Sequence, residues 1–271
     1  MISILLIETN LRKYAQARDQ MLPKIVTALS ADPRFVAAWL TGSFGRGEAH
    51  DDSDLDVQVV TTDEVLLARP WQSGGQATAE RLALFSQFGQ PGILFEAHSN
   101  APSGGTMTVV FYAETAVCVD WILIPLAQAQ RPLPSQLLFA HQAIPIQPPP
   151  LPEPEAERHQ LLGKEVAYFW MMTAVLVKFI IRDEALLFNL WLNSLYDVLA
   201  KVRRLLAGEA WQYRAGANVT LQLTHAAQIT AVRQLCQEML ALMPRLKQLG
   251  IIVPDNPMAV VEKRLALIGG L

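Results

Sequence analysis

Hydrophobic and polar residues follow two different rhythms along this chain of 271 residues. In the first half, apolar runs of strand length stand between turn residues, and two stretches have the spacing of an amphipathic helix. This pattern predicts helices over residues 11–29 and 77–88. It predicts strands over residues 35–40, 55–60, 93–97, 107–112 and 116–125.

Beyond a proline-rich stretch that includes consecutive prolines at 148–150, the pattern becomes helical throughout. Such a stretch is stiff and extended, which is typical of a linker. We therefore expect an α+β chain, with a small mixed-sheet domain over residues 1–143, a linker over 144–156 and an all-helical, bundle-like domain over 157–271. The helices predicted for the second domain are 157–182, 184–206, 226–249 and 257–267.

The composition predicts a soluble protein that neither spans a membrane nor binds nucleic acid. Hydrophobic residues make up 51% of the chain and the net charge is −3. The longest uncharged apolar stretch, residues 166–177, is shorter than the about 20 residues that cross a bilayer. The start lacks the basic segment of a signal peptide, and the two cysteines are far apart, so we expect a cytoplasmic location. The acidic first half and the lack of a basic, aromatic-lined track argue against a nucleic-acid partner.

The most informative stretch is 42–60, where a glycine-rich turn precedes two aspartates at the head of an apolar strand. Asp54 and Asp56 are spaced i, i+2, so on a strand both carboxylates project from the same face. Carboxylate oxygens are the ligands that Mg²⁺ prefers, and backbone N–H groups in a tight turn can hold an anion. The stretch therefore predicts a site for Mg²⁺ and a nucleoside triphosphate.

A third acid, Asp120, stands in the middle of the nearly all-apolar strand 116–125. An unpaired carboxylate on a buried strand is costly, whereas one bound to a metal ion is not. Asp54, Asp56 and Asp120 together could hold two Mg²⁺ ions for transfer of a nucleotidyl group. Near them, Gly42 permits close backbone approach and Ser43 offers a hydroxyl and an N–H group to the phosphates.

These residues resemble the motif of the nucleotidyltransferase superfamily that includes DNA polymerase beta. That motif is an apolar strand, Gly-Ser, a spacer to glycine, Ser-Asp-x-Asp-x-x-Val and a third acid on a later strand. The matching positions here are Gly42, Ser43, Gly47, Ser53, Asp54, Asp56, Val59 and Asp120. The resemblance implies metal-binding roles for the three aspartates and nucleotide-binding roles for Gly42, Ser43 and Ser53. Arg46 is a further candidate for a phosphate contact.

The order of domains is also similar to the antibiotic nucleotidyltransferases that modify hydroxyls of aminoglycosides or lincosamides. This second resemblance implies ATP or another nucleoside triphosphate, Mg²⁺ and a small-molecule acceptor with a hydroxyl group. It makes Glu96 a candidate general base, a role that Asp120 could share. Lys178 and Arg182, spaced i, i+4 on a predicted helix, are candidates for phosphate contacts, or they extend from the edge of the core.

Two alternatives to transfer onto a small molecule stay open at this point. One is a protein-modifying, AMPylating enzyme of the antitoxin type, and the other is a non-catalytic nucleotide-binding protein. The presence of all three acids argues against the second alternative. The sequence does not identify the acceptor, the nucleotide, the general base or any resistance phenotype, and it leaves open whether the chain forms a homodimer.

Overall fold

The computed structural model describes residues 4–69, 78–210 and 220–268. The chain divides into two compact units, Met1–Pro149 and Pro150–Leu271. The first unit contains a mixed β-sheet with helices, and the second is helical. The predicted α+β class is therefore confirmed.

The N-terminal unit is built on a sheet whose described strands number six, in the order β3-β4-β5-β2-β1-β6. Strands β2 and β5 are parallel, and the other neighbouring pairs are antiparallel. The strands are β1 (Phe35–Leu40), β2 (Leu55–Thr61), β3 (Pro91–Glu96), β4 (Thr106–Tyr112), β5 (Cys118–Pro125) and β6 (Gln136–Ala140). The helices are α1 (Ile4–Ala31), α2 (Gly42–Arg46), α3 (Glu64–Leu67) and α4 (Ala79–Ser86).

The two faces of this sheet have different environments. Because side chains alternate along a strand, Leu55 and Val57 of β2 lie on one face and Asp56 lies on the other. The first face packs under α1, α3 and α4 in a core that includes Trp121, whose indole stacks against Phe85 at 5.3 Å between ring centroids. The opposite face carries the acids and a smaller apolar cluster.

The C-terminal unit is a set of helices packed around one apolar core. They are α5 (Glu155–Ile181), α6 (Ala185–Ala207), α7 (His225–Leu240), α8 (Met243–Gln248) and α9 (Pro257–Leu265). Helix α6 ends at Gly208, whose φ of +69° is the left-handed conformation in which glycine terminates helices. No described helix is both long enough and apolar enough to cross a membrane.

Four local predictions were wrong or incomplete. The predicted helix 226–249 is broken into α7 and α8, because Pro244 cannot continue the hydrogen-bonding of α7 and instead starts a new helix. Strand β6 was missed, since it lies among prolines that favour a linker. The glycine turn contains the single-turn helix α2, and α1 begins earlier than residue 11. Residue 77 of the predicted helix 77–88 lies outside the described ranges.

Candidate active site

The three predicted acids meet on one face of the sheet. Strands β2 and β5 pair in parallel so that Asp56 lies directly beside Asp120. Asp54 is the residue directly before β2, and its charge acts on the carboxyls of both Asp56 and Asp120. One carboxylate oxygen of Asp54 lies within 4.8 Å of one from Asp120. The parallel register thus brings together side chains that are more than sixty residues apart in sequence.

These carboxylates are partly buried and repel one another. Burial, followed by the charges of Asp56 and Asp54, raises the pKa of Asp120 to about 6. Burial and the charge of Asp54 also raise the pKa of Asp56, while Arg46 acts in the opposite direction. A cluster of like charges held out of water is unfavourable unless a cation neutralises it. The donor set therefore fits a divalent metal ion with oxygen ligands.

Gly42 is required at the turn for two independent reasons. Its φ of +56° lies in the left-handed region, which residues with a side chain rarely adopt. A Cβ atom placed on Gly42 would also lie 1.8 Å from Oδ2 of Asp56. The glycine thus lets the turn pass directly over a site carboxylate. The next side chain, Ser43, has a buried Oγ atom with no hydrogen-bond partner among the residues that the structure describes.

The loop between the glycine turn and Asp54 is held by Arg18, a residue that was not predicted to have a role in the site. The guanidinium of Arg18, on α1, is almost fully buried and donates to the carbonyl oxygens of His50 at 2.8 Å and Ser53 at 2.9 Å. It also stacks over the ring of Phe44 at 4.8 Å from the centroid. Within the loop, the Ser53 hydroxyl accepts a hydrogen bond from the His50 N–H group at 2.9 Å. Ser53 thus shapes the loop, and its predicted nucleotide contact stays a prediction.

The comparison with known protein families agrees with this geometry. Residues 22–90 match the family model of the nucleotidyltransferase domain. The matched segment contains Asp54, Asp56 and the glycine turn, whereas Asp120 lies beyond its end. Comparison with curated proteins gives no match. The resemblance to the nucleotidyltransferase superfamily is confirmed by this match, while the likeness to the antibiotic-modifying members stays a prediction.

Two further residues of the N-terminal unit, Cys118 and Tyr14, lie beside the acids and were not predicted. Cys118 is two residues before Asp120 on β5, so it faces the same way, and its Sγ atom lies 3.9 Å from Oδ1 of Asp120. Tyr14, on α1, accepts a hydrogen bond from the Cys118 N–H group at 3.4 Å. Burial and the neighbouring Asp120 charge raise the pKa of the Cys118 thiol to about 12. The sequence signal that could have identified Cys118 is its position two residues before Asp120 on an apolar strand.

The structure does not bring Glu96 to the three acids. Glu96 pairs with Thr108 on β4, and Thr108 pairs with Trp121 on β5, so Glu96 lies on the helix-covered face. Its carboxylate accepts hydrogen bonds from Nε and Nη2 of the buried Arg81 guanidinium, at 2.9 and 2.8 Å. Thr108 and His98 make further polar contacts with the same carboxylate. A carboxylate held in this way does not meet an acceptor hydroxyl, so we remove Glu96 from the proposed catalytic set.

The remaining predicted phosphate contacts fall into two groups. Arg46, the last residue of α2, forms an ion pair with Glu48 at 2.7 Å, and its charge partly opposes the rise that burial and Asp54 cause in the pKa of Asp56. Lys178 and Arg182 belong to the C-terminal unit. Lys178 lies in the last turn of α5, where its positive charge interacts favourably with the negative end of the helix dipole. Arg182 is exposed and directly follows the helix. Their predicted contact with phosphate therefore stays a prediction.

Proposed function

We propose that this protein transfers a nucleoside monophosphate, AMP from ATP, to a hydroxyl group of a small molecule in a Mg²⁺-dependent reaction. The observation that carries the proposal is the parallel register of β2 and β5, which sets Asp56 beside Asp120, together with Asp54, which lies near Asp120 directly before β2; all three are partly buried. Such a cluster is costly to keep without a cation, and its residues belong to a nucleotidyltransferase motif.

In this proposal Asp54, Asp56 and Asp120 supply the oxygen ligands of a two-metal site. Bound Mg²⁺ would neutralise the triphosphate, orient it for in-line attack and stabilise the leaving pyrophosphate. The bound Mg²⁺ ions would then attract the three carboxylates, which otherwise repel one another. Asp56 and Asp120 are held by strand backbone and Asp54 directly precedes β2, so the geometry is set before any ligand binds.

The turn over Asp56 would hold the phosphates. Ser43 has a buried hydroxyl without a partner among described residues, and its N–H group lies in the first turn of α2, where helical N–H groups lack intrahelical acceptors. Arg46 would add a charge-assisted contact. With Glu96 removed, Asp120 is the remaining candidate among the predicted residues for accepting the proton of the acceptor hydroxyl.

The strands next to the acids favour an acceptor with apolar surface. Phe95 pairs with Val109, and Val109 pairs with Asp120, so all three face the same way. Phe95 is 60% exposed and Ile93, two residues before it, is 64% exposed. An aromatic and an aliphatic side chain bind apolar groups more readily than they bind a polycation. Within a panel of antibiotics we therefore expect lincosamides to be better acceptors than aminoglycosides.

A screen for pyrophosphate release tests the proposal. Each nucleoside triphosphate is incubated with Mg²⁺ and an aminoglycoside and lincosamide panel, using the native protein and the Asp56→Asn variant. The exposed Asp197 on α6 supplies a matched control, Asp197→Asn, which makes the same chemical change far along the chain from the motif. We expect acceptor-dependent release that Asp197→Asn retains and that falls by at least about a hundredfold in Asp56→Asn. Full activity of Asp56→Asn would refute the proposed metal role.

A further inference from the structure

Beside the proposed metal site lies a sulfur donor, the Cys118 thiol, that a Mg²⁺ site built from carboxylate oxygens does not use. Donor atoms of Asp54, Cys118 and Asp120 all lie within 4.8 Å of one another. The Cys118 thiol is free and mostly buried, and it lies on the same face of β5 as Asp120. Asp54 directly precedes β2, whose parallel pairing with β5 begins at Leu55 and Val119. Two of the donors are thus held on one strand, and the third lies where the neighbouring strand begins.

A set of two carboxylates and one thiol prefers different metal ions from a set of three carboxylates. Mg²⁺ is a hard cation that takes oxygen ligands in octahedral geometry, so a thiol contributes little to binding it. Zn²⁺ and Cd²⁺ are softer, and thiolate ligands select for them. A tetrahedral Zn²⁺ site needs sulfur at about 2.3 Å and carboxylate oxygen at about 2.0–2.2 Å from the ion. Here the Cys118 Sγ atom and Oδ1 of Asp120 are 3.9 Å apart, near enough to share one ion. Two carboxylates and one thiolate leave the fourth position open to solvent or a phosphate oxygen.

We infer that Cys118 turns the metal site into a binding site for thiophilic divalent cations, which are held by Asp54, Cys118 and Asp120 and inhibit the enzyme by displacing Mg²⁺. When such a cation binds, a sulfur–metal bond forms, the thiol proton passes to water, and water molecules leave the cation. No electron transfer takes place. The inhibitory part of this inference rests on the proposed function, whereas the binding part does not.

A titration with CdCl₂ alone tests the binding part, without nucleotide, acceptor or Mg²⁺. We expect an ultraviolet thiolate-to-cadmium charge-transfer band in the native protein that saturates with a single ion per chain. Cys118→Ser should lose the band and bind Cd²⁺ at least about tenfold more weakly in calorimetry. Cys118→Ala should behave in the same way, so that misfolding of one variant does not decide the result. Asp54→Asn retains the Cys118 thiol but removes one carboxylate ligand, so it should bind Cd²⁺ more weakly than the native protein does.

The second cysteine provides a matched control. Cys236 is buried in the helical core of the C-terminal unit, so Cys236→Ser should retain the band and the Cd²⁺ affinity. Absence of a band in the native protein, or its persistence in Cys118→Ser, would overturn the inference. The inhibitory part is tested by titrating ATP into the protein in Mg²⁺, with and without added Zn²⁺. We expect Zn²⁺ to weaken ATP binding to the native protein and to leave ATP binding to Cys118→Ser unchanged. Because the Cd²⁺ titration contains no nucleotide, it can succeed in a protein that lacks transferase activity, and the two claims fail separately.

Discussion

Replacing Asp120 by asparagine should stabilise the metal-free protein while abolishing its activity. Burial, followed by the charges of Asp56 and Asp54, raises the pKa of the Asp120 carboxyl from its ordinary value of 3.8 to about 6. A raised folded-state pKa means that the folded state binds the proton more tightly than the unfolded chain does. Stability from this proton is therefore complete below about pH 4 and is lost as the pH rises through about 6.

The size of the effect follows from the shift. A difference of about two pKa units corresponds to about 3 kcal/mol at pH 8, since each unit is about 1.4 kcal/mol. Asp120 is only partly buried, and solvent screens part of the repulsion, so we expect a net gain of about 1–2 kcal/mol for Asp120→Asn. For a unit of this size, that gain raises the unfolding midpoint by about 3–6 °C.

Scanning calorimetry in EDTA at pH 8 and at pH 4 measures this gain. The relevant transition is the one whose midpoint moves when Mg²⁺ is added to the native protein, because the chain has two units and need not unfold in one step. Asp120→Asn should unfold at a higher temperature at pH 8, and the difference should vanish at pH 4. Asp197→Asn is the control and should change neither midpoint. In saturating Mg²⁺ the order should reverse, since the native protein gains about 2.7 kcal/mol at a hundredfold excess over its dissociation constant. An Asp120→Asn variant that is no more stable than the native protein in EDTA at pH 8 would refute the reasoning.

Three further predictions concern the turn, the loop and Glu96. Gly42→Ala places a methyl group 1.8 Å from a site carboxylate oxygen and should abolish nucleotide binding in calorimetry. Gly47→Ala, which has a similar φ of +72° but nothing within 4 Å, should cost only about 1 kcal/mol and retain binding. Arg18→Met removes the donors that hold the loop, so we expect a loss of about 2–3 kcal/mol in denaturant titrations and a lower turnover number that Arg18→Lys partly restores. Glu96→Ala leaves the guanidinium of Arg81 buried without its anion and should destabilise the protein by about 3–5 kcal/mol, while the molecules that remain folded keep their turnover number; a selective loss of turnover would return Glu96 to the catalytic set.

The convergence of the acids was predictable because it depends on strand periodicity. The spacing of two between Asp54 and Asp56 predicts a common face, and in the structure β2 begins at Leu55, directly after Asp54. Asp120 was identified because a lone carboxylate in an apolar strand needs a partner. The same rule of alternation places Cys118 beside Asp120, so this residue could have been found from the sequence as well.

The position of Glu96 was not predictable by the same reasoning. Which face it occupies depends on the register between β3, β4 and β5, and this register is set by turns and by packing that leave no local signal. Its partner Arg81 comes from α4, fifteen residues earlier, and no spacing rule links a helix residue to a strand residue at that distance. Arg18 was missed for a similar reason, because its acceptors are backbone carbonyls of a loop, which any residue type can provide.

The central claim is that Asp54, Asp56 and Asp120 hold the metal ions through which this protein binds a nucleoside triphosphate. Calorimetric titration of ATP into the native protein and into Asp56→Asn, each with Mg²⁺ and with EDTA, tests it most directly. We predict that binding requires Mg²⁺ and weakens by at least about tenfold in the folded Asp56→Asn variant. Equal ATP affinity with Mg²⁺ and with EDTA, or an unchanged affinity in Asp56→Asn, would contradict the account.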